Sequence, residues 1–164
     1  MTKTIYLAGG CFWGVEAYYS RLKGVLETEV GYANGHTANP TYAEVKTGLT
    51  GHAETLKLVY DDAVLPLAMV VEHYLRFVDP YSLNKQGEDV GTQYRTGIYV
   101  TDKKEIKAVR SLLDEHLESG YKIEVGLLTA FYSAEDYHQD YLTKNPHGYC
   151  HVNLNLIRPD EKKN

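Results

Sequence analysis

Cys11 lies in the run Leu7-Ala8-Gly9-Gly10-Cys11-Phe12-Trp13-Gly14, between a short apolar stretch, a Gly-Gly turn and an apolar pattern of helical period. Phe12, Val15, Tyr19 and Leu22 recur on one helix face, and Gly24 is a plausible stop. A thiol at such a helix start meets unpaired amide N–H groups and the positive end of the helix dipole. These can lower a cysteine pKa to roughly 3.5–7.5, which makes the thiolate a nucleophile. The two glycines let the backbone approach whatever binds there. A lone cysteine beside aromatics is equally a small core hydrophobe, and placement alone leaves both readings open. Cys150 is the second of only two cysteines. Two cysteines without a CxxC pair form neither a disulfide framework nor a thioredoxin-like or zinc motif, so any role for them is reactive chemistry.

The elements that must hold Cys11 follow from hydrophobic period and turn residues. Residues 4–8 read as a strand, the run from Phe12 as a helix and residues 26–32 as an alternating strand, a βαβ opening. Residues 31–51 are loop-rich, with turns at Asn34-Gly35, Asn39-Pro40 and Thr50-Gly51 around a short helical turn at 42–46. Residues 53–60 alternate, which places Glu54, Leu56, Leu58 and Tyr60 on one strand face. Pro66 opens a helix with the stripe Leu67, Val70, Val71, Tyr74, Leu75 and Val78, ended by Asp79-Pro80. A polar loop covers 81–93. Strands at 94–100 and 121–128 flank a charged helix capped by Thr101 and reaching Ser119. A helix is expected over 134–144, then an irregular tail whose end, 158–164, frays. This order predicts an α+β two-layer sandwich on a split βαβ (ferredoxin-like) core with long loops; a doubly wound parallel sheet is the alternative. Residues 1–164 are expected to form a single catalytic domain, with 145–164 as its irregular tail.

Composition narrows the function. The 164 residues are 43% hydrophobic and 24% charged, ordinary for a globular chain. The net charge of −5 leaves no basic surplus for phosphates, which argues against nucleic acid. No apolar run approaches the roughly 18 residues of a membrane span. Residues 1–7 lack the pattern of a secretory signal, so the expected location is cytoplasmic. A monomer is expected. Fifteen Tyr against 3 Phe is a bias toward aromatic rings that keep a hydroxyl, some of which could donate a proton.

The word Gly10-Cys11-Phe12-Trp13-Gly14-Val15-Glu16 resembles the active-site signature of the A-class peptide methionine sulfoxide reductases. Five further stretches resemble that family in the same order. They are Asn39-Pro40-Thr41-Tyr42, Thr50-Gly51-His52-Ala53-Glu54, Gly91-Thr92-Gln93-Tyr94-Arg95, Ala134-Glu135-Asp136-Tyr137-His138-Gln139 and Asn145-Pro146-His147-Gly148-Tyr149-Cys150. Together they span about residues 4 to 152. The resemblance implies reduction of methionine-S-sulfoxide, free or in proteins, with Cys11 as the attacking thiolate. It implies Glu54 as the general acid, and Tyr42 and Tyr94 as groups that hold or donate to the sulfoxide oxygen. Phe12 and Trp13 would form the apolar wall that receives the methyl group, and Asp89 would orient substrate or support its hydrogen bonds. A free Glu is ionised at neutral pH, so Glu54 can serve as an acid only if a low-dielectric pocket raises it. Apart from the resemblance, each of these residues has an ordinary reading: Glu54 facing solvent, Phe12 and Trp13 in a core, the tyrosines at a surface, Asp89 solvated.

Attack would leave Cys11 as a sulfenic acid, which must be resolved before it oxidises further. The resemblance implies Cys150 as the resolving thiol and thioredoxin as the reductant of the resulting disulfide, with no other cofactor and no metal. Disulfide geometry would then require the tail to lie over, or swing onto, the helix start, because the two Cα atoms must come within about 7 Å. Some members carry a further tail cysteine; here none follows Cys150, so the relay would end at the first disulfide. An incidental thiol is the other reading of Cys150. Four further hypotheses compete. His52-Ala53-Glu54 fits the H-x-E element of zinc nucleobase deaminases, but the accompanying P-C-x-x-C is absent. His147, Cys150 and His151 cluster as if for a metal, without a fourth ligand. A Cys–His thiol hydrolase and a non-catalytic redox-sensing or peptide-binding module complete the set.

Overall fold

The computed structural model describes the whole chain, Met1–Asn164. In chain order the elements are β1 (Thr2–Gly9), α1 (Phe12–Ser20), β2 (Val25–Ala33), α2 (Tyr42–Lys46), β3 (Ala53–Asp61), α3 (Leu67–Phe77), β4 (Lys85–Gln86), β5 (Asp89–Val90), β6 (Thr96–Val100), α4 (Lys103–His116), β7 (Glu124–Leu127), β8 (Phe131–Ser133) and α5 (Tyr141–Lys144). Six strands form one sheet in the order β7-β6-β1-β3-β2-β8, and β4 pairs with β5 separately. Strand β3 lies between β1 and β2, so the β1–α1–β2 unit is split. Within the sheet only the β6–β7 pair is parallel, which sets aside the doubly wound alternative.

Alternation along β1 decides which face each side chain takes. Ile5 pairs across from Leu58 and Leu7 from Leu56, and all four are fully buried. They join residues of α1, α3 and α4 in a core of 28 buried side chains. Each fully buried Leu or Ile there contributes roughly 1.5–3 kcal/mol through the area it removes from water. Truncating Leu56 to Ala would cost about 2–5 kcal/mol. The alternate residues Tyr6, Ala8, Ala33, Ala53 and Tyr99 form a smaller cluster, covered in part by Leu128 and Phe131. Buried tyrosines fasten the elements by their hydroxyls: Tyr19 bonds the Val70 carbonyl at 2.7 Å, Tyr18 meets His73 Nδ1 at 2.7 Å, and Tyr74 bonds the Ala8 carbonyl.

The structure departs from the expected elements at four places. Residues 134–144 do not form one helix. A 3-10 turn at Asp136–His138 and the four-residue α5 are separated by Asp140 at φ 51. The cause is tertiary. Gln139 bonds both the N–H and the C=O of Val30, at 2.9 and 2.8 Å, and the Asp140 amide donates to buried Glu16 at 2.8 Å. These bonds outweigh local helix propensity. Strand β8 has only three residues and no visible period of its own. The charged helix is capped by Asp102, whose side chain accepts from the Lys104 amide, and not by Thr101. The chain end is not frayed. Glu161 accepts from Arg76 through both carboxylate oxygens, at 2.8 and 2.9 Å, and Lys162 bridges to Leu22.

Candidate active site

Cys11 is the N-cap of α1 and 7% exposed. Gly10 makes the turn from β1 at φ +87, a conformation that favours glycine. A Cβ at Gly10 would meet Gln86 at 2.8 Å and His151 Nε2 at 3.0 Å, so the 79–91 loop and the C-terminal segment both close on this turn. Gln86 is buried and bonds the amide and the carbonyl of Asp79, which holds the loop that carries Asp89.

Glu54 stands on β3 opposite Tyr32 of β2. Its face is the core face, because Leu56, Leu58 and Tyr60 share it, and Glu54 is 2% exposed. Its one hydrogen bond links it to the turn that carries Cys11: the Phe12 amide donates to Oε1 at 3.2 Å. Burial raises the carboxyl to about 8, against the lowering effect of the Phe12 N–H and with a further rise from Asp89. Glu54 therefore carries its proton at neutral pH.

Cys11 differs from the expectation of a lowered pKa. Burial, then the charge of Glu54, raise its thiol above the ordinary value; the Trp13 N–H opposes them, and Asp89 and Cys150 add to the rise. The free N–H groups of α1 are divided, Phe12's to the acid and Trp13's to the thiol. The resting cysteine is thus a protonated thiol held beside a protonated acid.

Tyr42, Tyr94 and Asp89 converge on the same place. Tyr42 is raised to about 12, first by burial and then by Glu54 and Cys11. Tyr94 is raised as well, by burial, Glu54, Tyr42 and Asp89 in that order. Both phenols keep their protons and can donate. Asp89 accepts from the Tyr149 hydroxyl at 3.0 Å, which joins the loop to the tail.

The two aromatics after Cys11 divide their work. Phe12 is 1% exposed and packs into the core against Tyr32 and His138. Its amide is the group that bonds Glu54. Trp13 is half-buried, stacks on Tyr141 at 3.7 Å and donates from Nε1 to His138 Nδ1 at 3.0 Å. These two contacts fix the orientation of the indole ring.

Cys150 lies on the first turn of α1. A Cβ at Gly14 would be 3.2 Å from its Sγ and 3.0 Å from Val152 Cγ2, so only glycine there admits the tail so closely. Cys150 is a free thiol that donates to the Val152 carbonyl at 3.2 Å.

The sequence offered no role for His138, Tyr32, Glu135 or Gln86, and for His151 only the metal cluster. The 134–139 motif was the available signal for two of them. Glu135 accepts from the Tyr32 hydroxyl at 2.7 Å and from the Tyr42 amide at 2.9 Å, and so fastens Tyr42 to the sheet.

The competing chemistries lose their residues. His52 is committed on both ring nitrogens, to the Gly35 amide at 3.0 Å and the Thr37 carbonyl at 2.7 Å, and folds the loop before β3. No group of three or more His, Cys, Asp or Glu is placed to hold a metal ion. The titratable groups with the largest effect on the Cys11 thiol are Glu54, Asp89 and Cys150.

Comparison with known proteins agrees with this geometry. The family model described as Peptide methionine sulfoxide reductase matches residues 3–164. A peptide methionine sulfoxide reductase MsrA from Lachnoclostridium phytofermentans is 54% identical, over 93% of this chain and 93% of its own. Mxr1 from Saccharomyces cerevisiae in reduced form superposes with a TM-score of 0.85 at 35% identity, over 93% of this chain and 92% of that one. The same yeast protein in complex with Trx2 aligns with a TM-score of 0.58 at 23% identity, over 85% of this chain and 84% of that one, a likeness of fold.

Proposed function

Because this chain belongs to the peptide methionine sulfoxide reductase family, we propose that Cys11 takes the oxygen of methionine-S-sulfoxide, free or in a protein, with Glu54 as the proton relay. The observation that carries the reading is the buried Glu54 raised to about 8 and bonded to the amide next to Cys11. Glu54 gives its proton to the sulfoxide oxygen, which removes negative charge from it and makes the sulfur electrophilic. Glu54 then takes the thiol proton as Cys11 attacks. The OH then passes from the methionine sulfur to the Cys11 sulfur as the sulfoxide S–O bond and the transient bond between the two sulfurs break. Methionine leaves, Cys11 keeps S–OH, Glu54 has regained a proton from the thiol, and the net transfer is one oxygen atom. A sulfoxide near Glu54 meets the hydroxyls of Tyr42 and Tyr94, which support the same oxygen, while the Trp13 face is available to the methyl group. Asp89, tied to Tyr149, borders the site and orients substrate.

Cys150 then attacks the sulfenic sulfur, giving a Cys11–Cys150 disulfide and water. Its position on Gly14 supports this step, since the tail already lies against the helix that carries Cys11. Yeast Mxr1 is described in complex with Trx2, and a thioredoxin is the proposed reductant here. We read 1–164 as one catalytic domain whose thiols begin each turnover reduced, which suits a cytoplasmic setting.

The test uses C150S treated with the S epimer of a blocked methionine sulfoxide and trapped with dimedone. A dimedone adduct on Cys11 is expected. Methionine formed without any adduct, or an adduct elsewhere, would remove Cys11 from its role.

A further inference from the structure

His151 follows the resolving thiol and has no part in the oxygen transfer. Its Nε2 lies 2.8 Å from the Gly9 carbonyl. A carbonyl only accepts, so Nε2 bears the ring proton and Nδ1 is left as a free lone pair. That Nδ1 is buried and has no hydrogen-bond partner. It shares the space over Gly14 with the thiol: a Cβ there would be 3.3 Å from His151 Nδ1 and 3.2 Å from Cys150 Sγ. A buried, unpaired acceptor is costly unless it has a task.

We infer that His151 Nδ1 is the base that deprotonates Cys150 in the resolving step. The Cys150 thiol, which donates to the Val152 carbonyl at 3.2 Å in the resting structure, turns from it and passes its proton to Nδ1, and the thiolate attacks the sulfur of Cys11–SOH. The S–S bond forms as the S–O bond breaks, and hydroxide leaves as water with the proton returned from the imidazolium. The Cys150 sulfur is oxidised and the Cys11 sulfur reduced, so no outside oxidant enters. Burial lowers the ring's pKa, partly offset by the Gly9 bond and the charge of Asp89, so the ring is a neutral base at pH 7. The titratable groups facing it are Asp89 across the loop and Cys150 in its own segment.

The inference rests on Cys150 as the resolving residue. The experiment reacts reduced H151Q and wild type with one equivalent of sulfoxide, following methionine release and thiol loss separately from pH 6 to 9.5. Without the base, thiol loss must wait for hydroxide to take the proton, so it speeds up as the pH rises. The expected result is thiol loss in H151Q at least about tenfold slower than wild type at pH 6.5, with the deficit closing by about pH 9.5. A deficit equal at every pH would make His151 an anchor of the Gly9 turn and overturn the inference, as would no deficit at all. If H151Q releases no methionine, the same two readouts on H151N decide between these outcomes. Thiols that survive methionine release in the wild type would instead refute the reading of Cys150.

Discussion

The amide of Phe12 donates to Glu54 Oε1 at 3.2 Å, so the first free N–H of α1 serves the acid and not the thiol one residue away. A helix start usually favours a thiolate. Here burial and Glu54 outweigh that, and Cys11 rests as a thiol. In the proposed mechanism activation is thereby tied to substrate: Glu54 gives up its proton to an oxygen before it can accept the one on Cys11. A resting thiol is also a poor target for casual oxidation.

Replacing Glu54 with Gln keeps an acceptor for the Phe12 amide and removes the proton relay. E54Q should form sulfenic acid roughly 10²–10⁴ more slowly than wild type, the usual scale for general acid–base catalysis. Rapid-quench measurement of methionine release reads it directly.

The same residue makes stability depend on pH. The folded protein holds Glu54's proton up to about 8, against an ordinary value of 4.5, so the folded state binds that proton more tightly than the unfolded chain. Its stabilising effect is complete below the ordinary value and is lost as pH rises through about 8. The loss is on the order of 4 kcal/mol by pH 9. E54Q should lack this fall, so the E54Q minus wild-type difference in unfolding free energy should grow from pH 5 to pH 9. Urea titrations at the two pH values check it.

Much of this was legible in the sequence because it rested on period and punctuation. A short apolar run located β1, apolar alternation located β2 and β3, and the Gly9-Gly10 turn located the helix that begins after Cys11. The burial of Glu54 was not legible from strand alternation alone, since a carboxylate on such a strand is ordinarily solvated; its neighbours Leu56 and Leu58 held the clue. What escaped depends on long-range contacts. Gln139 pairs with Val30, which is 109 residues away, and breaks a helix that its local sequence favours. The Arg76–Glu161 pair, 85 residues apart, turns a polar tail into an ordered one. The thiol's raised pKa likewise comes from burial and from Glu54, neither visible in the Gly10-Cys11-Phe12 word.

C150S should release about one methionine per enzyme with a thioredoxin system and then stall, because its sulfenic acid has no internal partner. A small dithiol that can reach Cys11 should restore turnover. Steady-state assays with each reductant make the comparison.

The tail anchor predicts a second pH effect of opposite sign. Arg76 holds Glu161 at about 2, so that stabilisation is present above the ordinary carboxylate value of 4.5 and lost as pH falls through about 2. R76M should be destabilised by about 1–2 kcal/mol at pH 7, a partly solvated charge-assisted pair, and by little at pH 2. Denaturant melts at both pH values measure the difference.

The central claim is an oxygen transfer to Cys11 followed by closure onto Cys150, and one stoichiometric count tests it. Reduced wild-type enzyme, with no added reductant, is mixed with excess S epimer, and methionine and remaining thiols are counted together. The account predicts about one methionine per enzyme with both thiols lost, and none from C11S. Methionine released by C11S, or by wild type with both thiols intact, would contradict it.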